Sequence, residues 1–429
     1  AMASSSVLEE PQTPMPGTPK DCCRSVVGLV KWLFNGKKMQ LCSSREEAQE
    51  SEEVVAPTAK EYCARHCEES SPSSDVQCRA GLAAQVPVLL TEAFENWHFD
   101  AFALAEATGN RPLRSLAEYL FQRLGLVSHF ALDQEKLANF FDEIERGYDD
   151  GNCYHNRVHA TAVLHAVHAL LQRGGLLGPA SAVLAEEPLV RMACLLAAAI
   201  HDYEHRGFSN DFLVRTADEW AVRYNDQHVN EQHHVAAAFA VLRRPECNFL
   251  EQLPVGDFRK LRSITIDLVI ATDMCSNSQI VNSMTQVLND APAAAPDEAG
   301  GPPRAFMPAA AADAMLLLQL AVKCADIGHL ALPWKAHVKW VKRLEEEFFA
   351  QGDKEKALNL PVSFLMDREK PGASETQVGF FEAVVIPIFR TLVRALPEAS
   401  PVLDAVMANY GHWQQVQEAN AAVAKQQPN

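Results

Sequence analysis

Two histidine-bearing segments, Tyr154-His155-Asn156-Arg157-Val158-His159 and His201-Asp202-Tyr203-Glu204-His205, constrain this chain more than any other feature. Residues four apart share a helix face, so His155 and His159 are expected to point one way, as are His201 and His205. Fifteen histidines in 429 residues would give roughly half a His-x3-His pair by chance, so one pair alone signals little. The signal sharpens with Asp202 and with Asp326, which closes the largely apolar run 316–325. A charge there is expensive to bury unless it is paired or bound to metal. Two imidazoles and two carboxylates suit a divalent ion such as zinc, manganese or magnesium with positions open to water, which is a hydrolase site. The fold must then bring three separated segments to one point.

Charge and composition limit the partners. The 55 acidic residues outnumber 38 basic ones, and the formal charge of -17 repels nucleic-acid backbones and anionic membranes. An anionic substrate must be drawn in locally, by metal ions and a few bases. Hydrophobic residues form 48% of the chain, enough for a sizeable core. Eleven cysteines without a CxxC pair, no signal-peptide pattern and no apolar run near the roughly 20 residues of a membrane span point to a reduced, cytoplasmic protein.

The sequence divides near residue 80. Residues 1–80 mix Pro, Ser, Glu and Cys and are expected to form a flexible regulatory region. Within it, segment 22–40 carries Arg24, Lys31, Lys37 and Lys38 around Val26, Val27, Leu29, Val30, Trp32, Leu33 and Phe34. Such a basic amphipathic helix suits calmodulin, a membrane surface reinforced by acylation of Cys22 or Cys23, or docking on the chain's own catalytic domain. From 81 to 425 apolar residues recur at three and four spacing, which predicts an all-α catalytic domain, a compact multi-helix unit. Helices are expected at Glu135–Glu145, His159–Gly174, Pro188–Ile200, Glu219–Tyr224, Gln232–Leu242, Asp257–Thr272 and Ala311–Cys324, with another along Trp334–Phe348 and a last one at Val402–Ala421. Asp290–Pro308 and Leu360–Thr376 read as loops from their Pro and Gly content.

Read as a set, the motifs resemble the catalytic domain of class I cyclic nucleotide phosphodiesterases. They include Asn96-Trp97-His98-Phe99-Asp100, the two histidine segments, Tyr224-Asn225-Asp226, Glu231-Gln232-His233-His234, Thr272-Asp273-Met274, Ala325-Asp326-Ile327, the segment 347–353 and Gln377-Val378-Gly379-Phe380. Among subfamilies the chain is most similar to the calmodulin-stimulated enzymes, through Ala199 to His205, His329 and Trp334-Lys335-Ala336-His337.

The resemblance implies that His159, His201, Asp202 and Asp326 hold zinc, while Asp202 bridges to a second ion, magnesium or manganese, and the pair activates a water. It implies that His155 protonates the departing 3' oxygen. His205, Glu231 and Thr272 would hold metal-bound waters, with Glu231 also orienting His155. Gln377 would face the purine and flip to suit adenine or guanine, Phe380 and Phe348 would clamp it, and Tyr154, Met274, Thr272 and His329 would complete the pocket. The implied reaction is hydrolysis of cyclic AMP and cyclic GMP to 5'-monophosphates in signalling.

Four positions depart from the family's pattern. Ala162 stands where an aspartate is usual, Arg206 replaces a proline, Asn230 a leucine and Asn277 a histidine. None removes a metal ligand or the acid. Two other readings compete: an HD-type nucleotide phosphohydrolase, and a nucleotide-binding regulatory protein whose catalysis failed with the lost carboxylate.

Overall fold

The computed structural model describes residues 84–291 and 305–426. Residues 1–80, for which a flexible region is expected, the basic segment 22–40 within them and most of the expected loop Asp290–Pro308 lie outside the described residues. In the first described stretch the chain forms α1 (Val86–Glu95), α2 (Ala101–Ala107), α3 (Pro112–Arg123), α4 (Leu126–His129), α5 (Gln134–Gly147), α6 (Arg157–Arg173), α7 (Leu177–Ser181), α8 (Glu187–Ile200), α9 (Asn210–Arg215), α10 (Glu219–Arg223), α11 (Val229–Leu242), α12 (Val255–Ala271) and α13 (Asn277–Asp290). In the second it forms α14 (Ala311–Asp326), α15 (Trp334–Ala357), α16 (Gln377–Phe380), α17 (Ile386–Ala395) and α18 (Ser400–Gln426). No strand occurs among the described residues.

At the centre is α8, in which every residue from Met192 to Ile200 is buried. A helix apolar on all sides must be covered on all sides, and α6, α12 and α14 pack around it. These neighbours are also the helices whose ends bear His159, Thr272 and Asp326. Towards α5, Phe121, Phe140, Phe141 and Phe249 interlock with centroids 5.2 to 6.3 Å apart. All four are fully buried, each such side chain stabilising by roughly 1.5–3 kcal/mol. A smaller cluster of Phe212, Leu213, Trp220, Ala221 and Val229 supports the start of α11.

The apolar spacing located most helices to within a few residues. Gln232–Leu242 begins three residues earlier than expected, at Val229, and the segment 360–373 is irregular as its prolines require. Helices α1, α4, α7, α9, α13, α16 and α17 lie outside the expected stretches: α4, α7, α9 and α16 have only 4, 5, 6 and 4 residues, and prolines stand in the first turns of α1 and α17. No helix among the described residues is long and apolar enough to cross a membrane.

Candidate metal centre and active site

Helix ends, rather than helix faces, deliver the histidines. Asn156 caps α6, its Oδ1 accepting from the backbone N–H groups of Val158 (3.0 Å) and His159 (3.4 Å), so His155 lies before the helix. In the second segment α8 ends with His201 as its capping residue, and the chain turns, with Glu204 at φ 64°. The expectation of a shared face therefore fails for both pairs, because a cap or a turn stands between the two members. They recombine crosswise instead. His159 Nε2 lies 3.2 Å from His201 Nε2, and the rings of His155 and His205 stack with centroids 4.1 Å apart. Asn152 ties the segments together by donating to the carbonyls of His155 (3.0 Å) and His205 (2.7 Å). Glycine at 207 permits this, since its φ is 74° and a Cβ there would lie 2.8 Å from Asn152 Oδ1.

Four ligand atoms converge. His159 Nε2 is 3.1 Å from Asp326 Oδ1 and 3.4 Å from Asp202 Oδ2, while His201 Nε2 is 3.4 and 3.1 Å from the same two oxygens. An ion about 2.0–2.1 Å from each ligand in a tetrahedron needs ligand separations of roughly 3.3 Å, so the cage fits a first-row divalent metal. Tautomers agree: His201 donates its Nδ1–H to the Ala198 carbonyl (2.9 Å), which turns its Nε2 lone pair to the cage. Burial opposes ionisation of Asp202 and Asp326, yet the adjacent imidazoles hold both well below the usual carboxylate range. The cage thus demands positive charge, as protons on its histidines or as a metal ion.

Beside the cage stands His155. Its Nδ1 contacts Glu347 Oε1 on α15, and Glu347 Oε2 accepts from the backbone N–H of Tyr154 (2.8 Å) and of His155 itself (3.0 Å). Burial works against a charged His155, but Glu347, Asp202 and Asp326 outweigh it and lift its pKa to about 9. Glu231, expected to orient His155, bonds elsewhere. Near the start of α11 it accepts from Asn210 Nδ2 (2.9 Å) and lies near Asp273, and burial with that neighbouring charge raises its pKa to about 8. The partner of His155 is Glu347, which belongs to the 347–353 motif but, unlike its neighbour Phe348, carries no expected role.

His205 accepts from the Gly207 N–H (3.0 Å) and is held neutral by burial and by His155, its pKa falling to about 4. Buried Thr272 donates to the Val269 carbonyl (2.7 Å). Two further groups escaped sequence reading. His234 donates through Nδ1 to the Tyr203 carbonyl (2.6 Å), and its buried Nε2 has no hydrogen-bond partner and faces Asp202 Oδ1 at 3.8 Å. Lys323, hidden in the apolar run, donates to the carbonyls of Ala271 (3.0 Å), Thr272 (3.2 Å) and Asp273 (2.9 Å), closing the C-terminus of α12. The histidine could have been suspected from the His233-His234 doublet, and the lysine from its interruption of an apolar helix.

The residues expected to bind a base are anchored within their own segments. Gln377 and Phe380 share α16, and Gln377 Nε2 donates to the Ala373 carbonyl (2.9 Å), leaving a buried Oε1 with no partner. Phe348 follows Glu347 on α15 and is half-buried. Met274 opens a short 3₁₀ turn after Thr272. The Tyr154 ring lies 4.6 Å from His159 and 5.8 Å from His329. His329 has a fixed proton: Trp413 Nε1–H donates to His337 Nε2 (2.7 Å), so neutral His337 donates through Nδ1 to His329 Nδ1 (3.3 Å). Neutral His329 then carries its own proton on Nε2. Ala162 lines a cavity of about 540 Å³ that also touches His159, Asp326, Trp97, Phe99 and Leu332. Where an aspartate was expected there is open space.

Comparison with known proteins agrees with this geometry. The family profile for 3'5'-cyclic nucleotide phosphodiesterase matches residues 154–406. Dual specificity calcium/calmodulin-dependent 3',5'-cyclic nucleotide phosphodiesterase 1B of Homo sapiens is 37% identical over 297 residues, 69% of this chain and 51% of that protein. The Drosophila melanogaster dual specificity calcium/calmodulin-dependent phosphodiesterase 1 is 37% identical over 301 residues, 70% of this chain and 33% of its own length. The chain therefore spans about half the length, or less, of the curated relatives it matches. The crystal structure of the phosphodiesterase domain of Salpingoeca rosetta rhodopsin phosphodiesterase superposes with a TM-score of 0.68 at 27% identity, covering 79% of this chain and 97% of that one. With a metal-fitting cage, a carboxylate-bound histidine beside it and a family match over most of the helical domain, the chain belongs to the 3'5'-cyclic nucleotide phosphodiesterase family.

Proposed function

We propose that this chain hydrolyses the cyclic phosphodiester of 3',5'-cyclic AMP and cyclic GMP to 5'-monophosphates. The observation that carries the reading is His155, paired with Glu347 beside four converging metal ligands. In it, His159, His201, Asp202 and Asp326 would hold zinc, and Asp202 would share a second ion, magnesium or manganese, whose waters His205, Glu231 and Thr272 orient. When bound, such ions acidify a water and draw charge from the phosphate. His155 does the rest of the proton work. Because Glu347 engages Nδ1, the donor is Nε2, and as the bond from phosphorus to O3' breaks, that oxygen takes the Nε2 proton. An unprotonated alkoxide would be a poor leaving group.

Base recognition falls to Gln377 with Phe348 and Phe380, where stacking contributes about 1–3 kcal/mol, and to Tyr154, Met274 and His329 around them. The bond from Gln377 Nε2 to Ala373 leaves Oε1 as the free atom, an acceptor suited to the adenine amino group. A flipped amide would set two oxygens face to face at Ala373, so cyclic AMP is favoured over cyclic GMP. The relatives named calcium/calmodulin-dependent support a further part of the reading: the basic segment 22–40 is a calmodulin target.

The test is steady-state hydrolysis of both cyclic nucleotides by the purified full chain, with and without calcium-loaded calmodulin. Turnover of both, a larger kcat/KM for cyclic AMP and loss of activity on chelation are expected. No turnover after metal reloading would refute the catalytic reading, and indifference to calmodulin would refute the regulatory one.

A further inference from the structure

A second group of metal donors lies outside the cage. His228 Nδ1 is 2.8 Å from Asp273 Oδ2, and Cys275 Sγ is 3.1 Å from the same oxygen. The three ligand atoms lie within 4.8 Å of one another. All three residues are partly exposed, so an ion can reach them from solvent without passing through the cage. We propose that His228, Asp273 and Cys275 form a separate, inhibitory site for a thiol-seeking divalent cation of the zinc class.

Donor chemistry sets the class. One imidazole nitrogen, one carboxylate oxygen and one thiolate sulfur match zinc and cadmium and are a poor set for magnesium or calcium, which take oxygen. The surroundings hold the donors in place. Asp273 Oδ1 accepts from the Cys275 N–H (2.8 Å), which aims Oδ2 at the other two donors. Lys323 fixes the backbone of residues 271–273 through its three carbonyl bonds. The two separations from Asp273 Oδ2 are a few tenths of an Å short of the edges of a tetrahedral zinc site, as expected for donors hydrogen-bonded to one oxygen. Among the described residues, Asp273, Glu231 and the Lys323 ammonium are charges that face His228.

Inhibition follows from a shared donor. Asn210 Nδ2 donates to both Glu231 Oε2 (2.9 Å) and Asp273 Oδ2 (3.3 Å). A cation that takes Oδ2 removes half of that bridge and shifts the amide that holds Glu231. This inhibitory step rests on the hydrolase reading above, whereas binding of the cation does not.

The experiment uses the full chain with magnesium in excess, titrated with cadmium as the probe while the ultraviolet thiolate-to-cadmium charge-transfer band is followed. The wild type should show one equivalent more than Cys275→Ser, and His228→Ser should lose the same increment. An identical band in wild type and Cys275→Ser overturns the site. Zinc should then inhibit hydrolysis, with about tenfold more zinc needed for either variant; equal zinc sensitivity in all three proteins overturns the inhibitory link. Should the chain turn over neither nucleotide, the cadmium difference still decides the site.

Discussion

Four histidines lie within fourteen residues of this chain, and the two ends of α6 treat them in opposite ways. At its start, His155 and His159 stand among Glu347, Asp202 and Asp326, and His155 is pulled up to about 9. From its midpoint on, His165 and His168 meet carbonyls and rings, and the charges near them, Arg173 and Arg191, are cationic. Their Nε2 atoms bond to the carbonyls of Asn96 (3.1 Å) and Phe94 (3.2 Å), and their rings pack on Phe99 and Phe94. Burial drives these two down to about 3 and 4, so they stay neutral. Residue type is constant while the neighbours change. A buried carboxylate makes an imidazole a charged acid or a ligand, and a buried carbonyl makes it a neutral tie between helices.

Replacements at the two ends should separate those duties, and the largest effect belongs to the cage. Asp326→Ala is expected to abolish turnover and lose bound metal, read by elemental analysis of the purified variant. Full metal retention would put the cage elsewhere. His155→Ala should reduce kcat by about 10²–10⁴ while metal content stays near that of the wild type. Equal metal loss in both variants would erase the proposed distinction between ligand and acid.

A smaller effect is expected at the partner of the acid. Glu347→Gln should lower kcat about ten- to a hundredfold and shift the alkaline limb of the kcat/KM profile to lower pH. The sign follows from charge: the Glu347 carboxylate favours the imidazolium, so without it the proton leaves sooner. An unmoved limb would mean that His155 does not titrate in that limb.

The smallest effect on chemistry belongs to the far end. His165→Gln should leave kcat within about twofold of wild type while destabilising the fold by roughly 1–3 kcal/mol, measured as a shifted urea midpoint. His165 is depressed in the fold, so its contribution is present above the unfolded value of 6.5 and is lost as pH falls from there towards 3. The variant should therefore soften the acid dependence of stability over that window. A kcat loss like that of His155→Ala would break the contrast between the two ends.

Sequence alone determined the helical class, because apolar spacing near 3.6 is a local property, and the family resemblance of its motifs, rather than their spacing, selected His159, His201, Asp202 and Asp326 as one donor set. It also misplaced two relationships. Spacing of four suggested shared helix faces, but the Asn156 cap and the turn at Glu204 intervene. Resemblance assigned Glu231 to His155, but α15 brings Glu347 there across 192 positions of sequence. Tertiary structure alone decided which histidines are charged and which are neutral, and which donors share a cation. Protonation depends on charges a few Å away in space, and nothing in the order of residues along α6 records which helices will supply them.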